Sequence, residues 1–485
     1  MRSTTVSLLF LFLSPWIRPI SGFQALQATA PTRCRVQLRT PISSPAFLSD
    51  GKNRKTWLRS SAAASDGVGA SADETSGGGT ATITNEVFNL VKSIVGCGVL
   101  SLPAGIAAFG NAPSALVPAA FLILLMGAIS AYTFSLLARV CALTGATSYA
   151  DAWDKTRGRS TAWIVAASSA FDCFAGNLSY SMILADTVRA LLAAVGIAVT
   201  RTTALTGLTT TVLLPLCLVK NLSSLAPFSL VGLLGMVYTA VAMGIRYFGG
   251  AYAAPGGRFL ADLAPGMLPS FGAVGAAGAA TPQALILVSM LSTAYIAHFN
   301  APKFYRELKN NTLARFNRMT AASFGLSVAF YFVLASLAFL TFGASTAGMV
   351  LNNYSTKDLL ISASRCAVAV SLIGSYPLMF VGTRDGLLDL LQLPEKQRTD
   401  SLLNKMSVGL VGIITLLATK VTDLTFVASI SGAMLGTSLI FIFPTLMFRA
   451  AVRGDASKKW ESRLCSLIAL VGAVVGTIGT KMAFN

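Results

Sequence analysis

Charge is scarce in this chain. Only 12% of its 485 residues are Asp, Glu, Lys or Arg, about half the share found in soluble domains. It has one histidine, His298. The sequence carries no HExxH, GxSxG or P-loop pattern, which argues against an enzyme or a nucleotide-driven pump. Its seven cysteines are scattered and never in CxxC spacing, so neither a metal site nor a disulfide framework is supported, and no cofactor is implied. Acidic residues are fewest, 19 against 37 Lys and Arg. The resulting net charge of +18 invites a nucleic-acid reading, but there is no basic stripe with interleaved aromatics, and nucleic-acid binding is set aside.

Hydrophobic residues make up what is present. They are 54% of the chain, with a mean hydropathy of +0.67. This is an integral, multi-pass membrane protein with an all-α fold. Eleven apolar segments are long enough to span a bilayer. They lie at 86–108, 113–140, 160–196, 204–221, 225–248, 282–302, 318–343, 359–391, 404–421, 423–448 and 462–482. The third and eighth are long enough to be tilted. Counting Lys and Arg at span ends with their loops, 19 fall in the loops 2–3, 4–5, 6–7, 8–9 and 10–11, and 8 on the opposite side. The side shared by those loops and the N-terminal region is therefore the biosynthetic inside.

Upstream of the spans the composition changes. Residues 1–22 read as a secretory signal, with Arg2, an apolar run from Val6 to Leu13, and Ser21-Gly22 before Phe23. Residues 23–60 hold seven basic residues against one acid, Asp50, and are rich in Ser, Thr and Pro, a transit-peptide composition. Residues 61–84 are a flexible linker, and the transmembrane domain is 85–485. Signal followed by transit, with Phe at the junction, resembles the bipartite presequence of algae with secondary plastids. A disordered tail behind a signal anchor is the alternative. Import into a plastid would leave the tail and the basic loops on one side, in accord with the charge rule, whereas a signal peptide alone would not. A plastid membrane is the expectation, with a vacuolar or other endomembrane, or the plasma membrane, as alternatives.

The segment Asn89–Pro103, NLVKSIVGCGVLSLP, is an apolar span with two features that a plain bilayer helix avoids. Lys92 puts a charge in hydrocarbon, at a cost of roughly 2.5 kcal/mol or more. Gly96 and Gly98, with Pro103 following, loosen the helix and free backbone groups, which is tolerated where they line a cavity. Broken helices of this kind build substrate sites at the midplane of secondary transporters. Spans 1–5 and 6–10 form two halves offset by 196 residues if 86 and 282 correspond, which carries Gly96 to Ser292 in LSTAYIAHFNAP of span 6. A break in span 1 and a small, polar stretch at the matching place in span 6 is the pattern of an inverted repeat. Amides at the break suit a carboxylate and carbonyls suit an ammonium, so an amino acid zwitterion fits both. The bland alternative is that small residues let helices pack closely.

At this point a resemblance becomes specific. Phe88-Asn89-Leu90 and Gly96-Cys97-Gly98-Val99-Leu100 match the FNL…GxGxL signature of the amino acid/auxin permease family. Tyr295, His298, Tyr305, Glu307 and Leu308 fall where members have F-x-C-H…Y-x-E-L, with Ala297 in place of the Cys. Pro377 and Arg384 match a P…R ending, and SGAMLGTSLIFIFPTLMF in span 10 is family-like. The resemblance covers 85–482. It implies the five-plus-five inverted-repeat fold of the wider amino acid–polyamine–organocation superfamily, with helices 1 and 6 broken and one extra helix. It also implies an amino acid as the transported partner, with Gly96, Cys97, Gly98, Ser292, Thr293 and Tyr295 around it.

The coupling residues follow in part from the same resemblance. Lys92 stands where sodium-coupled members have a sodium-ligating Asn, and a Lys four residues before the first glycine is common in proton-coupled and vacuolar branches. An ammonium there could fill the place of a sodium ion and respond to protons. A lysine snorkelling from the end of span 1 is the alternative. Asp172 and Asp186 are fourteen residues apart in span 3, nearly on one face. Either could pair with Lys92 or relay protons, Asp172 being deeper, or could form a structural pair with another cation. His298 is a candidate pH-responsive group or a hydrogen-bonded structural residue. Ser371 and Ser375, ahead of Pro377, could line the former sodium region or simply bond their own backbone. The expected function is secondary or facilitative amino acid transport by alternating access, sodium-independent and proton-coupled if coupled at all. A transport-fold amino acid sensor and a carrier of another small organic acid are the competing readings. The sequence does not set an oligomeric state.

Overall fold

The computed structural model describes residues 79–219, 226–391, 393 and 397–484. The signal-like and transit-like segments, and the linker before Gly79, lie outside the described residues. Those described are almost wholly helical, with two isolated bridges and no strand. With no water to bond backbone groups in hydrocarbon, a helix is the form that satisfies them within the segment.

The first span comes in two pieces. α1 (Ile83–Ile94) starts on Thr82, whose hydroxyl accepts from the Asn85 amide. It begins three residues before the expected boundary at 86. α2 (Leu102–Phe109) has Pro103 in its first turn, where proline's fixed φ suits the helix. The bend between the halves is 44°. There follow α3 (Leu116–Thr144), a short amphipathic α4 (Tyr149–Arg157) and α5 (Ala162–Ala194). α6 (Arg201–Leu208) runs through a π-helical turn at Thr209–Leu213 into α7 (Leu214–Leu218), and α8 (Ala226–Phe248) follows. The second broken span is α9 (Ala284–Ala294) and α10 (Ala301–Glu307). α11 (Leu313–Phe342), α12 (Leu359–Leu390) and α13 (Asp400–Lys420) come next. α14 (Leu424–Ser431) continues through two π-helical turns, Gly432–Gly436 and Ser438–Ile442, into α15 (Phe443–Ala451), and α16 (Lys459–Phe484) ends the series.

Eight of these stretches are long and apolar enough to cross a membrane, and the bent α1–α2 pair makes a ninth. The difference from the eleven expected lies in two places. α5 is 33 residues long but carries Asp172, Asn177, Asp186 and Arg189. The α6–α7 stretch opens on Arg201 and is rich in threonine. Both occupy the positions expected for spans 3 and 4.

Loop contacts sort the two ends of the bundle as the basic residues do. Ala81 donates to the Glu307 carbonyl at 3.0 Å and accepts from the Lys309 amide at 2.8 Å, clasping the chain before α1 to the end of α10. At the opposite end Asn111 donates to the Val274 carbonyl, Ser270 donates to the Phe342 carbonyl and accepts from the Ala344 amide, and Asp186 on α5 meets both Arg201 (2.7 Å) and Asn352 (3.1 Å). There, too, Asp358 caps α12 and takes Arg246 (2.7 Å) and the Tyr252 hydroxyl (3.0 Å). Arg365, almost fully buried, binds the carbonyls of Leu351 (2.8 Å), Tyr354 (2.7 Å) and Ser355 (3.3 Å). This spreads a buried charge over fixed dipoles and closes that end. α5 packs chiefly on α12, α11 lies on α1 and α3, and α14 and the π turn at Gly432–Gly436 lie on α9.

Candidate functional site

The two chain breaks frame the candidate site. α1 ends at Ile94, with Val95 donating to Val91 at 2.7 Å and Gly96 donating to Ile94 at 2.9 Å. Gly96 is extended, and Cys97–Ser101 then forms a 3-10 turn leading into α2. The first amides of such a turn have no carbonyl behind them to bond. The end of α1 therefore presents carbonyls, and the start of the next piece presents amides. Chain neighbours aside, a Cβ built on Gly96 or on Gly98 would meet no atom within 4 Å among the described residues. Open space thus lies along this backbone, as a substrate site needs; close packing against a neighbouring helix would have filled it.

The second break falls at Tyr295–Ala297, between the end of α9 and a turn at His298–Asn300. Pro302 restarts the helix in α10. The first pieces end at Ile94 and Ala294, so the breaks are offset by more than the 196 residues expected and Ser292 is still helical. One side chain joins them. The Tyr331 hydroxyl, from α11, lies 2.7 Å from the Ile94 carbonyl and 2.7 Å from the Ala294 carbonyl. It is buried, with its ring 4.9 Å from that of Tyr295. A hydroxyl has a single proton, so it serves the two carbonyls by turns.

The expected site residues separate into groups. Gly96, Cys97 and Gly98 form the first break. Ser292 and Thr293 precede the second, and their hydroxyls are spent on carbonyls: Ser292 on Val288 (3.0 Å), Thr293 on Ala428 (2.8 Å). Ser292 bonds within its own helix, while Thr293 seams α9 to α14, where Gly432 lies directly on the Ser289 carbonyl and 2.6 Å from Thr293 Oγ1, measured from the place its Cβ would take. Tyr295 is fully buried, and its hydroxyl donates to the Ile123 carbonyl on α3 at 3.2 Å. At the break it offers backbone only.

Lys92 lies in the last turn of α1, partly buried, where the helix dipole is negative. Among the described residues it has no ion-pair or hydrogen-bond partner. The aspartates of α5 do not meet it. Asp186 is held by Arg201 and Asn352 at the rim, the structural pairing weighed against a relay. Asp172 is buried, close to Ser431, the last residue of α14 before its π turns. His298 is fully buried. Its Nε2 is 3.1 Å from the Ser130 carbonyl and 3.0 Å from Thr133 Oγ1. A carbonyl can only accept, so Nε2 carries the proton, and Nδ1 is left bare and unpartnered among the described residues. Ser371 presses on Gly232 of α8, away from either break, and Ser375 is half-buried on the same helix.

Sequence reasoning missed Tyr331 and Ser431. Tyr331 sits in an apolar run with nothing in its spacing to mark it, and Ser431 opens the family-like SGAMLGTSLIFIFPTLMF stretch without being given a role there. A tyrosine inside the apolar VAFYFVLASLAF run is the one signal, since a buried Tyr seeks a partner for its hydroxyl.

Comparisons with known proteins agree with this geometry. The family described as "Transmembrane amino acid transporter protein" matches residues 79–484. The "Putative sodium-coupled neutral amino acid transporter 11" of Danio rerio is 27% identical, the match covering 84% of this chain and 87% of the relative. "Amino acid transporter AVT6E" of Arabidopsis thaliana is 26% identical, covering 82% of each. Among solved structures, "Crystal structure of MhsT in complex with L-phenylalanine" superposes with a TM-score of 0.50 at 12% identity, covering 84% of this chain and 99% of that one. At that identity the likeness is one of fold.

Proposed function

The chain belongs to the transmembrane amino acid transporter family, and from that premise we propose that it carries a neutral amino acid through alternating access at the paired breaks, without sodium. The observation that carries this is the open space beside Gly96 and Gly98, bordered by carbonyl ends on one side and amide ends on the other. The carbonyls of the α1 end take the substrate ammonium. The amides opening the 3-10 turn take its carboxylate. A neutral substrate is taken from the relatives' names, which specify neutral amino acids.

Those names also include sodium coupling. Lys92 supports the opposite reading here. It supplies a fixed positive charge in the last turn of α1, with no carboxylate to cancel it among the described residues. An ammonium held there leaves no electrostatic need for a metal cation. Proton coupling, where present, falls to Asp172. It is buried beside Ser431 with no ion-pair partner among the described residues, next to the π-helical part of the α14–α15 span that packs on α9.

The test is uptake of labelled neutral amino acids into proteoliposomes, with sodium present or absent and with or without an inward proton gradient. Sodium-free uptake retained by the wild type, with a sodium requirement appearing in Lys92→Asn, supports the substitution of charge. Wild-type uptake that needs sodium refutes it. Asp172→Asn is expected to keep counterflow exchange and lose any stimulation by the gradient.

A further inference from the structure

A basic groove of ≈ 740 Å³ lies away from the breaks, at the end of the bundle shared by α4, α15 and the start of α16. It is lined by Arg157, Arg449, Arg453, Lys458, Lys459 and Arg463, with Asp455 the single carboxylate. That carboxylate is already engaged by the amide and hydroxyl of Ser457. The nearby Glu461 is taken up by Arg139, with Lys458 at 3.9 Å. On α4, Asp151 pairs with Lys155 instead, and Arg157 lies over the Trp153 ring at 5.9 Å. Arg449, Arg453, Lys459 and Arg463 have no anionic partner among the described residues. Four unpaired cations around one concavity repel one another unless an anion occupies it.

We infer that this groove is a binding site for the phosphate-bearing headgroup of an anionic membrane lipid. Its volume suits a headgroup-sized ligand. Its depth in the bilayer is marked by Trp460, 77% exposed, and Trp163, 49% exposed, the residues that collect at the headgroup level. From the lip of the groove an exposed apolar stripe, Trp460, Leu464 and Leu467, runs down one face of α16, giving acyl chains a surface continuous with the cationic one. A soluble phosphate would have no use for that stripe. Basic pockets between helices on the inside face recognise such headgroups by charge and hydrogen bonding.

The test uses the full chain in detergent and a short-chain phosphoinositide as probe, alongside its deacylated headgroup and inorganic phosphate. The lipid is expected to bind. Arg449→Gln with Arg453→Gln removes two groove charges and should weaken binding about thirtyfold. Arg318→Gln with Lys405→Gln removes two exposed charges elsewhere and should change it by no more than about twofold. Both variants alter exposed side chains, so melting temperatures equal to that of the wild type are the check on folding. Equal loss in the two variants, or no binding of lipid to the wild type, overturns the proposal. Binding of the deacylated headgroup or of phosphate as tight as that of the lipid overturns the lipid source and leaves a soluble-phosphate site.

Discussion

Replacing Tyr331 with Phe removes one oxygen from the point where the two broken spans meet. The hydroxyl stands 2.7 Å from each of two carbonyls, Ile94 and Ala294, but having one proton it makes one bond at a time. The net loss of one such bond is about 0.5–1.5 kcal/mol, and a carbonyl stranded without a partner raises it to about 1–3 kcal/mol. The Ile94 carbonyl keeps the Gly96 amide at 2.9 Å, which moderates the cost at the first break and concentrates it at the second. If the bond sets the relative position of the breaks around the substrate, a loss of about 1–2 kcal/mol becomes a KM about 5- to 30-fold higher. Uptake against substrate concentration in proteoliposomes measures it. Tyr295→Phe is the control, because its hydroxyl bonds Ile123 on α3 instead of a break carbonyl. It should lose comparable thermal stability with KM unchanged within about twofold. A wild-type KM in Tyr331→Phe, or the same KM change in both variants, refutes the reasoning.

Glycine substitutions should split by what surrounds them. Gly96→Ala and Gly98→Ala put a methyl into open space, so melting temperature holds while transport falls, whereas Gly432→Ala drives a methyl onto the Ser289 carbonyl and should lower melting temperature and expression together. Arg365→Met strips three carbonyls of their donor and should cost about 3 kcal/mol or more, read as a fall in detergent melting temperature. Asp151 outside the spans accepts the Thr147 amide, the largest cause, which holds its carboxyl below the usual range. Its stabilising effect is therefore full at neutral pH and lost as pH falls below the ordinary carboxylate value of about 4. Asp151→Asn should narrow its stability gap from the wild type over that same interval in a thermal-shift series.

The first break was legible because its cause is local: two glycines and a proline stand within eight residues, Gly96 to Pro103. The second was misplaced by a few residues because Tyr295, Ile296 and Ala297 are ordinary helix residues, held out of the helix by tertiary contacts. Periodicity put Asp172 and Asp186 on one face and position in the span put Asp172 deeper, but neither named the partners of the two carboxylates. Only the approach of Arg201 and Asn352 assigns Asp186 to the rim. The grouping of loops at the two ends of the bundle was readable because it follows from the alternation of the spans. The pairing of Tyr331 with two carbonyls was not, since neither carbonyl has a sequence signature.

The clasp between residue 81 and residues 307–309 is made from main-chain atoms alone. Every residue except proline supplies the same amide and carbonyl. Lineages can therefore drift freely in side chain at Ala81 and Lys309 while keeping the fastening, and a mutational scan will score both positions as silent apart from proline. Length is what heredity must guard. One residue inserted between Ala81 and the first turn of α1 would slide the strap out of register, so a single-codon insertion there should be harsher than nearly any missense change at the same place.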